Sequence, residues 1–317
     1  MYDVIALGEL LVDLAERSKD EAGYPTLAAN PGGAPGNFLA ALSAYGKKTA
    51  FLAKVGDDTF GHLLTGTMRR AGIDTRGILI SPDTFTTLAF VTFDAHGDRS
   101  FAFARKPGAD TQLRWDEIDP AMLDETHVFH FGSLSCTDEP ARSATQSAVA
   151  YARAHGKLVT YDPNYRASLW ADDAAACDQI RSILPIVDII KLSQEEMPFA
   201  AGIDDVDTAI KVLRKEGVAL IVITLGEGGA VVATGDQQRS VPAFPCDAVD
   251  TTGAGDAFFG GFLSEFVKSG KSVYDVSIDD MVRFARVGCA TASLCIGRRG
   301  GIPAMPTMEE VTELLNG

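Results

Sequence analysis

Residues 250–261 read Asp250-Thr251-Thr252-Gly253-Ala254-Gly255-Asp256-Ala257-Phe258-Phe259-Gly260-Gly261. Small residues that expose the backbone come first, a carboxylate follows, and an apolar run of helical length then begins. A helix starting near Asp256 would leave its first N–H groups without partners, and those donors together with the helix dipole favour an anion. An anion site with a carboxylate fixed beside it suits phosphoryl transfer: the donors hold the migrating group while the carboxylate takes a proton from the acceptor hydroxyl. The same residues read equally well as a plain loop with an Asp helix cap. No Gly-x-x-x-x-Gly-Lys-Ser/Thr loop occurs, and Phe258 stands where a dinucleotide fingerprint needs glycine.

Further polar clusters sit beside apolar runs. Gly32-Gly33-Ala34-Pro35-Gly36-Asn37 would let a ligand approach the backbone, with Asn37 offering a donor and an acceptor to a hydroxyl. Asp13 follows the first strand-like run and could bind two sugar hydroxyls. Phe103-Ala104-Arg105 and Asp162-Pro163-Asn164-Tyr165-Arg166 add cations to an acidic chain. Ser193-Gln194-Glu195-Glu196 has capping-box spacing, and Glu196 could otherwise hold a hydrated magnesium ion. Thr224-Leu225-Gly226-Glu227-Gly228-Gly229 could admit a ribose or phosphates, or be a simple turn. Each cluster alone has an ordinary structural explanation in a turn, a cap or a solvated surface.

The elements that must position these groups alternate between short β-branched runs and longer amphipathic ones. Strands are expected at 4–7, 49–55, 127–131, 158–162, 187–192 and 219–225, and helices at 36–45, 59–71 and 139–154. Near-continuously apolar strands alternating with helices predict an α/β fold, a mostly parallel sheet covered on both faces. Ligands of such folds gather at strand C-termini, where the polar clusters fall. Two regions break the rhythm, about 11–30 and 84–105. The second holds two β runs around a turn-rich linker at 94–98, and together they predict a small β lid on a single domain spanning 1–317.

The 317 residues carry 46% hydrophobic and 22% charged side chains, ordinary for a globular protein. Forty-three acidic against 28 basic residues give a net charge of −15, which argues against nucleic-acid or anionic-membrane partners. Five scattered cysteines show no Cys-x-x-Cys or zinc spacing. With no signal-peptide pattern at Met1-Tyr2-Asp3-Val4-Ile5 and no membrane-length apolar run, a cytoplasmic location is expected.

On the stretches 32–37 and 250–261 the chain resembles the PfkB carbohydrate-kinase family, with its ribokinase-like three-layer sandwich. Within that family it is most similar to bacterial and plant fructokinases. Lys54-Val55-Gly56-Asp57-Asp58, Arg105-Lys106-Pro107-Gly108-Ala109-Asp110, Tyr161-Asp162-Pro163-Asn164 and Gly300-Gly301-Ile302-Pro303 extend the likeness over the whole chain. The resemblance implies ATP-dependent phosphorylation of a sugar hydroxymethyl group, with fructose the foremost acceptor and 2-keto-3-deoxygluconate, an aminoimidazole riboside and ribose as alternatives. A non-catalytic sugar sensor on the same scaffold is the reading from another class. The resemblance makes Asp256 the general base and Gly253, Ala254 and Gly255 the anion hole. Asp13, Gly32, Gly33, Asn37, Phe103 and Asn164 would bind the sugar, with Arg105 and Arg166 closing over it. Ser193, Thr224, Gly226, Gly228 and Gly229, with Gly253 and Gly255, would line the ATP site. Glu196 would organise Mg2+, and Asp250, Thr252, Cys295 and Gly300 a monovalent cation, K+. A homodimer through the lid is also implied. The chain departs from the usual fructokinase pattern at Ala104 (Tyr), Gly36 (Ala) and Ser193 (Asn), which places the question of sugar identity at Gly36 and Ala104.

Overall fold

The computed structural model describes residues 1–93 and 99–317; the linker expected at 94–98 lies outside them. β1 (Tyr2–Leu7) sets the plan. Val4, Ile5, Ala6 and Leu7 are wholly buried, as a strand covered on both faces must be. The chain then leaves the sheet for β2 (Leu11–Lys19) and β3 (Pro25–Gly32), and returns through α1 (Ala34–Ala44), β4 (Thr49–Gly56), α2 (Thr59–Arg70) and β5 (Ile78–Ser81). It leaves again for β6 (Leu88–Phe93) and β7 (Arg99–Ala104). From α3 (Pro120–Asp124) the alternation is regular: β8 (Thr126–Gly132), α4 (Ala141–Ala154), β9 (Leu158–Asp162), α5 (Asp173–Ile183), β10 (Ile189–Ser193), α6 (Met197–Ala201), α7 (Val206–Lys215) and β11 (Leu220–Thr224). An antiparallel pair, β12 (Ala230–Thr234) and β13 (Gln237–Val241), precedes α8 (Ala254–Ser269), α9 (Ile278–Ile296) and α10 (Met308–Asn316).

The large sheet runs β13-β12-β11-β10-β9-β8-β1-β4-β5, parallel from β11 to β5 and antiparallel at the β12–β13 end. Alternation along β1 feeds two cores. Ile5 and Leu7 pack with Ala148 of α4 and Ile180 of α5; Val4 and Ala6 pack with Phe38 of α1, Phe259 of α8 and Phe284 of α9. These are the three layers the sequence implied.

The second sheet, β3-β2-β6-β7, is the expected lid. Its first segment reaches Gly32 rather than residue 30, because Leu11 at the base of β2 pairs with Gly32. Its second begins at Leu88 rather than 84. Thr86 is withheld from the ladder: its amide and hydroxyl donate to Asp58, the N-cap of α2, at 2.8 and 2.9 Å. Helix α1 likewise starts at Ala34 instead of 36, since Pro35 carries no N–H and suits a first helical turn.

Candidate active site

Where the C-terminal ends of β1 and β9 meet the starts of α1 and α8, a cavity of about 140 Å³ opens under the lid. The lid contributes Leu11, Asp13, Val91 and Phe103 to its wall; Glu9, Asn37, Asn164, Arg166, Gly253 and Asp256 line the rest. That is space for a small polar molecule. A larger hollow opens at the other end of β1, around Tyr2, Lys48, Asp74 and Arg76. There Tyr2 and Arg76 are already paired with Asp74, and no motif residue reaches it.

Asp256 lies in the first turn of α8. The helix enters through Gly253 at φ 78°, a left-handed conformation that costs glycine little. Ala257, Phe258, Phe259, Phe262 and Leu263 anchor α8 in the core, so its polar first turn is held rigidly at the cavity. The Ala254 amide bends back to the Thr251 carbonyl at 3.3 Å, while the amides of Gly255 and Asp256 precede the helix's own ladder. Asp256 is buried, and its Oδ2 accepts from Asn37 Nδ2 at 2.8 Å. Burial pushes its carboxyl above the usual range; Lys191, the Asn37 bond and Arg166 act the other way. A carboxylate so placed can accept a proton from a hydroxyl in the cavity.

The sugar-side expectations largely meet there. The Asp13 carboxylate lies on Gly32: a Cβ at Gly32 would come within 2.2 Å of Oδ2, so glycine is what lets the acid lie flat against β3. Asn37 lines the cavity, but its Oδ1 is buried against Gly301 without a hydrogen-bond partner, and its clearest task is to orient Asp256. Asn164 holds φ 46°, rare for a residue with a side chain. The next amide, Tyr165, donates to Glu196 Oε1 at 2.7 Å and braces that turn.

Four further candidates had no role assigned from the sequence. Glu9 is 2% exposed, its Oε1 accepts from the Ala34 amide at 3.0 Å, and burial pushes its carboxyl up to about 7. Asp162 and Lys191 form a buried pair at 2.9 Å below Asp256. Thr251 joins the cavity wall. A charged residue inside an apolar strand, such as Lys191 in Ile189-Ile190-Lys191-Leu192, is the signal that could have found the pair.

On the nucleotide side, Ser193 and Thr224 are register partners at the ends of β10 and β11, outside the cavity wall. Gly226 and Gly228 bound a single 3-10 turn. Gly229 has a packing reason instead: a Cβ there would strike the Val241 carbonyl at 2.1 Å. Glu196 accepts from both the Ser193 and Tyr165 amides at 2.7 Å. Asp250 accepts from the Thr252 amide through Oδ1 and the Gly300 amide through Oδ2, each at 3.0 Å, and the Cys295 carbonyl accepts from Arg298 at 3.0 Å. The Asp250 carboxylate thus ties Thr252 and Gly300 together.

Three sugar-side expectations need correction. Arg105 is not part of the cavity wall. It is 4% exposed and donates to Asp110 at 2.7 Å, Thr137 at 2.7 Å and the Leu134 carbonyl at 2.8 Å. Ala104 pairs with Leu88 on edge strand β7 and is exposed; β alternation turns it to the face opposite Phe103, which lines the cavity. Gly36 faces the core, where a Cβ would meet Ile302 and Phe51 at an ordinary 3.5 Å. Gly36→Ala is therefore expected to stabilise the fold by roughly 0.5–1 kcal/mol and leave substrate KM unchanged; a urea titration with steady-state kinetics checks both.

A mostly parallel sheet of this order with a four-stranded lid and a buried aspartate at a helix start over a small cavity defines a ribokinase-like phosphotransferase acting on a hydroxyl. The pfkB family carbohydrate kinase profile matches residues 1–308, and the chain belongs to that family. It is 40% identical to probable fructokinase-4 of Arabidopsis thaliana, covering 99% of this chain and 97% of the relative, and 39% identical to fructokinase-1 of Zea mays, covering 98% and 97%. Among solved structures it is similar to the fructokinase of Xylella fastidiosa with bound ATP (TM-score 0.92, 30% identity, 100% and 99% of the two chains). It is also similar to the fructokinase of Vibrio cholerae O395 in its fructose, ADP and calcium bound form (TM-score 0.88, 28% identity, 99% of each chain).

Proposed function

We propose that the protein is an ATP-dependent fructokinase that transfers the γ-phosphoryl group of ATP to the primary hydroxyl of D-fructose, giving fructose 6-phosphate. The observation that carries this reading is the placement of Asp256 and Asp13 in the wall of one cavity, on a chain similar to fructokinases along its length. Asp13, Gly32, Gly33, Asn37, Phe103, Asn164 and Arg166 would hold the sugar. Asp256 would take the hydroxyl proton as the phosphoryl group passes over the turn at 253–255. Ser193, Thr224, Gly226 and Gly228 would border the nucleotide.

Among the described residues of the cavity wall, Asp13, Asp256 and Glu9, whose carboxyl burial pushes up to about 7, stand with one cation, Arg166, and Arg105 is held by Asp110. That balance favours a neutral sugar over an acid such as 2-keto-3-deoxygluconate. Among the described residues no cluster of three or more His, Cys, Asp or Glu could hold a metal ion. This fits Mg2+ carried on nucleotide phosphates and water, with Glu196 reaching it through water, since each of its amide-bonded oxygens keeps a lone pair. The ion would neutralise phosphate charge. Asp250, Thr252, Gly300 and the Cys295 carbonyl would suit K+, which would steady the loop before α8.

We further read residues 1–317 as one kinase domain that acts in the cytoplasm. Its five cysteines are free, and among the described residues no helix is long and apolar enough to cross a membrane. Dimerisation through the lid is supported by the exposed Tyr24 and Leu27 on and beside β3. The deciding measurement is kcat/KM for fructose, 2-keto-3-deoxygluconate, aminoimidazole riboside and ribose at fixed ATP. Fructose is expected to lead by at least about tenfold, roughly 1.4 kcal/mol of transition-state discrimination. A lead for the acid overturns the assignment, and no ATP turnover with any of the four favours a sensor.

A further inference from the structure

One charged side chain at the centre of the molecule has no part in the roles described so far. Lys191 sits on β10 with 5% of its surface exposed, and its Nζ donates to Asp162 Oδ2 at 2.9 Å. Asp162, at the end of β9, is 4% exposed, and its other oxygen is buried with no hydrogen-bond partner. A Cβ at Gly255 would lie 2.8 Å from Lys191 Nζ, so the ammonium is packed directly under the turn that leads into Asp256. Glycine at 255 is what lets the cation come that close.

Burying a lysine is expensive unless the charge is used or compensated. Here the surroundings are strongly acidic. The groups that act on Asp256 are Lys191 from β10, Arg166 and Asp162 from the end of β9, Glu196 after β10, and Asn37 from α1; Cys295 of α9 is a further titratable neighbour. Burial pushes the Cys295 thiol up to about 12, so it is neutral and contributes little. Two of the carboxylates, Glu196 and Asp162, disfavour a third negative charge. A buried carboxylate in such company takes up a proton and ceases to be a base. Lys191 is the foremost charge opposing this, ahead of Arg166.

We propose that Lys191, clamped by Asp162 beneath the turn at 253–255, is a positioning residue that holds the Asp256 carboxylate in its ionised, proton-accepting form. Asp162 tempers the effect: it fixes the ammonium but adds a negative charge of its own. The pair thus sets the lower pH limit of the enzyme without touching the sugar. The inference rests on Asp256 being the base, so its test includes a reading that needs no turnover.

The experiment is the acid limb of kcat/KM against pH for wild type, Lys191→Met, Asp162→Asn and the double variant. It is paired with titration of the Asp256 carboxyl carbon by NMR, assigned by its loss in Asp256→Asn. An opposite charge within about 4–6 Å of a carboxylate lowers its pKa by about one to three units. Lys191 bonds Asp162 and acts on Asp256 only through space, so Lys191→Met should move the Asp256 titration and the acid limb upward by up to about that much. Asp162→Asn should move both downward. The double variant should fall between wild type and Lys191→Met, because the lysine effect is the larger; it also leaves no unpaired buried charge if the single lysine variant fails to fold. A structural lysine would scale activity at every pH and leave the four midpoints together, and that result overturns the proposal. NMR midpoints that shift in this order while the kinetic limb does not would uphold the electrostatic coupling and reject Asp256 as the base.

Discussion

Asp256→Asn should lower kcat by about 10²–10⁴-fold, the loss typical of a removed general base. The amide is nearly isosteric, and its oxygen can still accept from Asn37 Nδ2, which now bonds Asp256 at 2.8 Å. Geometry is kept while proton acceptance is lost. Stability should move the other way. Burial raises the Asp256 carboxyl in the folded protein, so the folded state binds protons more readily than the unfolded one. Its charge therefore costs stability above the folded pKa, and the cost fades as pH falls through that value toward the unfolded one. The variant should have a urea midpoint at neutral pH no lower than wild type, with the difference closing in acid. Near-normal turnover of any sugar would remove Asp256 from the mechanism.

Asp13→Ala should act on the sugar and spare the nucleotide. Hydrogen bonds to a charged group contribute about 1.5–3 kcal/mol each, so losing two to sugar hydroxyls should cut kcat/KM for the sugar by about 10²-fold or more. The KM for ATP should hold, because Asp13 lies on lid strand β2 while Ser193 and Thr224 lie at the ends of β10 and β11. Parallel changes in both KM values would mean that the substitution had deformed the lid instead. An unchanged sugar KM would exclude Asp13 as a sugar ligand.

Much of this was legible from the amino acids. Apolar runs such as Val4-Ile5-Ala6-Leu7 announce strands buried on both faces, and the two interruptions announce the lid, because local patterning governs both. The carboxylate of Asp256 and the small residues before it were visible for the same reason. What could not be read is set by tertiary contact. Nothing adjacent to Arg105 says that its guanidinium will be held by Asp110, Thr137 and Leu134. Ala104 and Gly36 look like specificity positions until strand alternation and helix packing turn them from the cavity. Lys191 and Asp162 meet only because β9 and β10 are neighbours in the sheet. Glu9 matters through a backbone amide 25 residues away.

Asp13 is a residue of β2 itself, and β2 is the inner strand that joins β3 to β6. The proposed sugar ligand and the cover are thus one piece of backbone. In the proposed kinase the sugar's ligand would therefore ride on the cover itself, so that any displacement of these strands would carry the Asp13 carboxylate with it. Holding the sugar and covering it would then be one act.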